Sequence, residues 1–425
     1  MHEQNGTGTI HGYLPYAAVL LLSAIIRFVN LMNPFGFPGY SGSLGNNGTD
    51  EGVFLMTGRL VSSGYRMYSD VNTQQGPLFS FALELLQGDP LQVRMVTVVL
   101  SLAGVLGIML FSGRLGGGRT ALASSLFLGL NYVFFKESRH ASSDLFSTVF
   151  LIFAFYAMLI YFRDIGIPRG RGASDQLRTA GTLLLAGIVF ALAAMSKLFA
   201  VVPLLSMGIF MLVQSIRCDR GKGIGTGIRI WHIMVLAGSA CITTFLLMNI
   251  YGFGNTLDGM LLDNLHRPGM TLVGRTRTVL LFLIFTSLPA ILSLFAVIRE
   301  RREIRTQLML VWAIPLFIFI IVQSPVWEHY LVLVLPPLCY LGGRGFDLLV
   351  HERAGSNKRG MEGTLERKKS GRSRVGSFLL IASILFLRVP KLVHHVDIFV
   401  LDVFEHCDLL IPFEDFSLPR DHVED

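Results

Sequence analysis

The run PLFSFALELLQG, residues 77 to 88, decides how the whole chain is threaded. It is apolar, but it is shorter than the roughly 17 to 25 residues a spanning helix needs, and it carries Glu84. It reads as a helix lying at the membrane surface. Working outward, eleven longer apolar runs remain: 13–32, 91–111, 119–135, 144–162, 179–196, 198–214, 231–251, 278–298, 307–324, 329–350 and 375–390. The basic residues test the choice, because Lys and Arg concentrate in cytoplasmic loops. With a cytoplasmic N-terminus, 23 of the 36 Lys and Arg fall in inside loops and 10 in outside segments. Making 77–88 a twelfth span inverts every later loop and destroys that asymmetry.

Composition agrees. Of 425 residues, 52% are hydrophobic and 15% charged, against about a quarter charged in soluble chains, so soluble and disordered classes are excluded. The net charge of +7 is spread over short loops between apolar runs, a topology signal and no nucleic-acid surface. Cys218, Cys241, Cys339 and Cys407 are far apart with no CxxC, which supports neither a disulfide framework nor zinc. The first apolar run lacks a basic n-region and a small-residue cleavage site, so no cleavable signal peptide is expected. The expectation is an all-α integral membrane protein with about 11 transmembrane helices. One polytopic domain covers 1–390, with a large first external loop at 33–90 bearing juxtamembrane helices. An acidic external tail follows at 391–425.

A first external loop this long is a place for function. It holds NNGTDEGVFLMTGRLVSSGYRMYSDVNTQQG, residues 46–76, in which Asp50 and Glu51 open a stretch with helical apolar spacing. Two carboxylates at a helix N-terminus either cap it or do chemistry beside the membrane. KESRHASSDLF, residues 136–146, places Lys136, Glu137, Arg139, His140 and Asp144 on the same face, Asp144 doubling as a candidate cap. Lys197 stands at a tight helix hairpin, where an ammonium snorkels or meets an anion. Glu328 and His329 arrive from a late span. Arg27 and Arg94 lie near span ends. Snorkelling suits Arg27, and Arg94 is at the depth of a lipid-linked phosphate. The glycines of RGKGIGTGIR, 220–229, lack a preceding strand and a GK[ST], so they form a flexible loop and no nucleotide cradle.

In their order these residues resemble the GT-C class of polytopic glycosyltransferases, in its protein O-mannosyltransferase and aminoarabinose-transferase-like branch. The motifs that carry the resemblance are Asp50-Glu51, Gly64-Tyr65, Tyr68-Ser69-Asp70, Gly76-Pro77-Leu78, Arg94, the Ser138-Arg139-x-Ala141-x-x-Asp144 pattern, Lys197, and His329-Tyr330 with Pro336-Pro337. The likeness covers about 50–200 and 325–343 and departs from the family pattern at Gln74-Gln75 and Gly76, which bears on any metal site.

The resemblance implies a sugar donor on a polyprenyl phosphate and a hydroxyl acceptor on protein, lipid or glycan. A hydroxyl is a poor nucleophile, so a carboxylate must take its proton, and Asp50 is expected as that base, with Glu51 orienting and Asp144 supporting. The departing phosphate needs cations, for which Lys197, Arg94 and Arg139 are candidates. Asp70, Tyr68, Gln74, Glu328 and His329 are expected to bind substrate. No nucleotide site is required and no cofactor is certain, though Asp50 with Asp144 leaves room for a divalent cation. The rival class is a transporter or lipid flippase, which wants ionisable groups in mid-span, whereas Arg27, Arg94 and Arg388 lie toward span ends.

Overall fold

The structure, a computed structural model, describes residues 10–29, 31, 47–165, 173–219, 230–262, 271–323 and 325–359. The expected eleventh span at 375–390, the acidic tail and residues 32–46 of the first loop lie outside the described residues.

The described chain is helical, without strands beyond an isolated bridge between Met67 and Val71. The helices are α1 (Ile10–Phe28), α2 (Asn47–Ser62), α3 (Pro77–Leu85), α4 (Pro90–Gly129), α5 (Tyr132–Glu137), α6 (Ser143–Ile165), α7 (Ala173–Ser196) and α8 (Val201–Asp219). They continue with α9 (Ile230–Asn249), α10 (Phe253–Leu257), α11 (Leu272–Phe285), α12 (Ser287–Glu300), α13 (Ile304–Val322) and α14 (Leu335–Arg359). Seven of these elements are long and apolar enough to cross a bilayer, or eight if a bent pair counts as one, and the chain is a multi-pass membrane protein. The 77–88 run is the nine-residue α3, too short to cross.

The described spans depart from the expected count for identifiable reasons. Run 91–111 and the first part of run 119–135 lie in the 40-residue α4, two helical pieces that break at Gly117, and the rest of the second run continues into α5. At Gly117 φ is 83°, a left-handed value that only glycine adopts without strain. The run 278–298 is no straight span: α11 and α12 meet at 80°. Pro289 has no N–H to donate to the Phe285 carbonyl four residues back, which weakens the helix across the junction. A similar deficit opens α14. Pro337 has no N–H for the Leu333 carbonyl, which instead accepts the Trp312 indole N–H at 3.1 Å.

Burial sorts the helices. The spanning window of α6 is 72% buried and that of the segment leading into α14 is 78% buried, while α9 is 17% buried and faces outward. Arg27 does not snorkel. Its guanidinium is fully buried, donating at 3.0 Å to both the Ser23 and Gly129 carbonyls. Midway along α14, Arg344 holds Glu300 (2.6 Å) and Asp347 (2.8 Å), and Arg305 joins Glu300 at 3.0 Å, fastening α12, α13 and α14.

Candidate active site

Four chain breaks meet at the end of the helices that carries α2 and α3: the start of α2, the α5–α6 turn, the α7–α8 hairpin, and the segment before α14. Each break exists for a local reason. The α6 start is capped by Ser142, whose Oγ accepts the Leu145 N–H at 3.2 Å. Asp144 is therefore not the cap, and its carboxylate is left for other partners. Asp50 is likewise not the cap of α2, because the helix already begins at Asn47; the side chain stands exposed in the first turn. Lys197 leaves α7 in an extended conformation (φ −147°, ψ 123°) before a short 3-10 turn, Leu198–Ala200. Gly76 presses on the end of α7 so closely that a Cβ there would lie 2.0 Å from the Met195 carbonyl oxygen. That contact brings the 72–75 segment against the Lys197 hairpin.

Between these breaks lies a cavity of about 540 Å³. Asp50, Gln74, Asp144, Lys197 and His329 line it, so five of the residues singled out from sequence share one space. At its base Asp144 Oδ2 lies 3.4 Å from Lys197 Nζ and 4.0 Å from His329 Nε2. Asp144 Oδ1 is buried with no hydrogen-bond partner. The ammonium of Lys197 also lies over the Tyr330 ring at 4.7 Å and the Phe199 ring at 5.5 Å, so two aromatic faces and one carboxylate surround it.

The other expected residues are placed elsewhere. Glu51 is buried and grips Arg94 through two parallel bonds, Nε to Oε1 at 2.9 Å and Nη2 to Oε2 at 2.7 Å, while the Ala141 N–H adds a third at 3.2 Å. This pair ties α2 to α4 and to the α5–α6 turn, and Arg94 does not line the cavity. Arg139 is buried, donates to the Ile26 carbonyl at 3.1 Å and lies over the Phe135 ring. Asp70 is exposed and accepts the Arg66 N–H at 2.8 Å, closing its own loop. Tyr68 donates to the Gln75 carbonyl at 2.7 Å and supports the loop from behind. Glu328 pairs with Lys136, joining α5 to the 3-10 segment Glu328–Val334.

The sequence reading did not single out the wall residues Asn72, Thr73 and Trp327, and it named Gln75, Glu137 and His140 without giving them a role in the site. His140 Nε2 is 3.3 Å from Glu137 Oε2, and its Nδ1 is 3.0 Å from the Lys136 carbonyl. The Ser142 hydroxyl donates to the same Glu137 oxygen at 2.7 Å. Burial by itself would raise the Glu137 carboxyl, but the charge and hydrogen bond of His140, then His329 and Lys136, hold it well below the usual carboxylate range. Burial would lower His140, and the charge and hydrogen bond of Glu137 with the charge of Glu51 outweigh it and raise the imidazole above its ordinary value. The signal was an i, i+3 Glu–His pair in KESRHASSDLF, hidden in what read as a short connection.

Among the described residues no group of three or more His, Cys, Asp or Glu is placed to hold a metal ion. Lys197 takes Asp144 Oδ2, which leaves Oδ1 and the Asp50 carboxylate as the protein oxygens a divalent cation would use beside those of a substrate phosphate. No step below runs through a metal.

This arrangement is the GT-C fold of polytopic membrane glycosyltransferases. The chain is similar in structure to ArnT from Cupriavidus metallidurans bound to undecaprenyl phosphate, with a TM-score of 0.56 and 15% identity over 93% of this chain and 72% of that one. It is also similar to the Archaeoglobus fulgidus oligosaccharyltransferase AglB, solved with an inhibitory peptide and a dolichol-phosphate. There the TM-score is 0.52 and the identity 17%, over 88% of this chain and 54% of that one. Residues 78–224 match the dolichyl-phosphate-mannose-protein mannosyltransferase family. No curated protein matches this chain.

Proposed function

We propose that the protein is a glycosyltransferase that moves a sugar from a polyprenyl phosphate to a hydroxyl acceptor on the external side of the membrane. The observation that carries this reading is the pairing, in one cavity, of an exposed carboxylate at Asp50 with the buried Lys197–Asp144 pair whose Oδ1 lacks a donor. The family match and the lipid phosphates held by the two similar enzymes support the donor class.

In the reaction the acceptor oxygen bonds to the anomeric carbon as the bond from that carbon to the phosphate oxygen breaks. The electron pair leaves with the phosphate, and the acceptor proton passes to Asp50. Lys197 meets the growing phosphate charge in a setting poor in water, where a fixed cation counts for more than at an exposed surface. The lone Asp144 Oδ1 accepts a sugar hydroxyl and so fixes the ring against the pair. Glu51 and Arg94 hold the wall rather than the substrate. A mannosyl or other hexosyl donor is the specific form of this proposal, drawn from the matched family's description.

The test is reconstitution in nanodiscs with synthetic polyprenyl-phosphate sugars. Acceptor-dependent release of polyprenyl phosphate is expected. Absence of both release and lipid-phosphate binding would remove the glycosyltransferase reading. The sidedness rests on the Lys and Arg distribution: a cysteine introduced at residue 45 should label from outside and one at 360 should not.

A further inference from the structure

With Arg94 committed to Glu51 and Arg139 outside the cavity wall, Lys197 is the one cavity-lining cation left among those the sequence suggested. A departing phosphate concentrates charge that a single ammonium, already shared with Asp144, neutralises only in part. The structure supplies a second cation in the α5–α6 turn. Both ring nitrogens of His140 face acceptors: Nδ1 the Lys136 carbonyl and Nε2 the Glu137 carboxylate. A ring with an acceptor at each nitrogen carries a proton on each, because a bare lone pair aimed at either oxygen would be repelled. Both side chains line the cavity, and the His140 ring is the more exposed of the two, 14% against 3% for Glu137.

We propose that His140, kept doubly protonated between Glu137 and the Lys136 carbonyl, is a second fixed cation for the departing lipid phosphate, acting together with Lys197 from the wall of the same cavity. The inference rests on the glycosyltransferase reading. When the bond to the anomeric carbon breaks, its electron pair stays on the phosphate oxygen, and the His140 charge lowers the energy of that oxyanion without giving up its proton. Glu137 is then a positioning residue. It is held in turn by Ser142, the residue that caps α6 and so sets where Asp144 stands. The ionisable groups around the ring are Glu137 and Lys136 on α5, Glu51 on α2 and His329 on the 3-10 segment, with Asp144 on α6 facing Glu137. The two carboxylates nearest in influence, Glu137 and Glu51, favour the charged ring against burial and Lys136.

The experiment measures polyprenyl-phosphate affinity and donor turnover across about pH 5 to about pH 9 in nanodiscs, for the wild type, His140→Gln, His140→Lys and Glu137→Gln. The wild type should lose about tenfold in both as the imidazolium deprotonates. His140→Gln should start about tenfold lower and show only the ligand's own titration. His140→Lys should keep high affinity further into the alkaline range. Glu137→Gln should move the alkaline limb toward lower pH, which a purely architectural carboxylate would not do. Wild-type affinity, turnover and alkaline limb in His140→Gln would overturn this inference and leave the glycosyltransferase reading standing. If the wild type neither binds lipid phosphate nor turns over the donor, both fall. Should His140→Gln fail to fold, the limbs of His140→Lys and Glu137→Gln decide: opposite shifts support the cation, and unmoved limbs overturn it.

Discussion

Asp144 and Lys197 meet at 3.4 Å in the floor of the cavity, from the first turn of one helix and the hairpin that ends the next. Breaking a buried pair leaves an uncompensated charge at a cost of about 3–5 kcal/mol, so each single variant should lower Tm, and the double variant should lower it by less than the sum. Activity separates the two roles. Lys197→Ala should reduce use of the lipid-phosphate donor by about 10²–10³ while acceptor KM stays close to wild type. An unchanged donor KM and rate would take Lys197 out of the phosphate subsite.

Asp50 is the exposed carboxylate of the cavity, in the first turn of a helix that starts before it. Its removal should therefore not loosen the fold. Asp50→Asn should lower sugar transfer by about 10²–10⁴, the usual worth of a general base, with Tm and lipid-phosphate binding held. Full transfer by this variant would show that another group takes the proton.

Glu51 and Arg94 should behave in the opposite way. The carboxylate accepts two bonds from the guanidinium and one from the Ala141 N–H, and both side chains are buried. Arg94→Ala or Glu51→Gln should cost about 3–5 kcal/mol of stability, and Arg94→Lys should not rescue it, since an ammonium cannot reproduce the two parallel bonds. Thermal unfolding in detergent measures this. A selective rise in donor KM with normal Tm would instead return Arg94 to the phosphate.

The contrast between Asp50 and Glu51 marks the limit of what sequence carries. Hydropathy and the asymmetry of basic loops were enough for the all-α membrane fold and for leaving α3 out of the spans, because both depend on local composition. The neighbourhood of Asp50, Asp144 and Lys197 was legible because Asp50 falls in the first external loop and the other two at span ends on the same predicted face. The partner of Glu51 was not, since Arg94 lies 43 residues away and nothing periodic links them. The 80° turn at Thr286 was hidden as well: apolar residues continue through 278–298, and mean hydropathy carries no direction. His140 was passed over because a lone histidine in a short turn has no signature until Glu137 and the Lys136 carbonyl close on its two nitrogens.

Gly76 offers a test of how far the loop positions the hairpin. A methyl group there would lie 2.0 Å from the Met195 oxygen and 2.4 Å from its carbon, backbone atoms that cannot swing aside. Gly76→Ala should therefore push residues 72–75 off the end of α7, at a cost of about 1–3 kcal/mol or more. Gln75, whose side chain accepts the Ser143 hydroxyl at 2.6 Å, would be drawn away from the start of α6. A fall in turnover larger than the Tm loss explains is expected, read by transfer assays at a temperature where the variant stays folded. Wild-type turnover would mean that the hairpin holds its place without the loop.

The Glu137–His140 pair gives stability a pH window whose sign follows from the two shifts. His140 is raised in the fold, so its contribution is complete below the ordinary imidazole value of 6.5 and is lost as pH climbs through the folded value. Glu137 is lowered, so its contribution is complete above the ordinary 4.5 and is lost as pH falls through the folded value. Both are whole between 4.5 and 6.5, and the alkaline loss begins above 6.5 and runs up through the raised value of His140. Tm measured against pH should fall above that window more steeply in the wild type than in His140→Gln, which has no proton to lose. Parallel curves for the two proteins would mean that the ring is neutral in the fold, and with that the cation at the cavity wall would be gone.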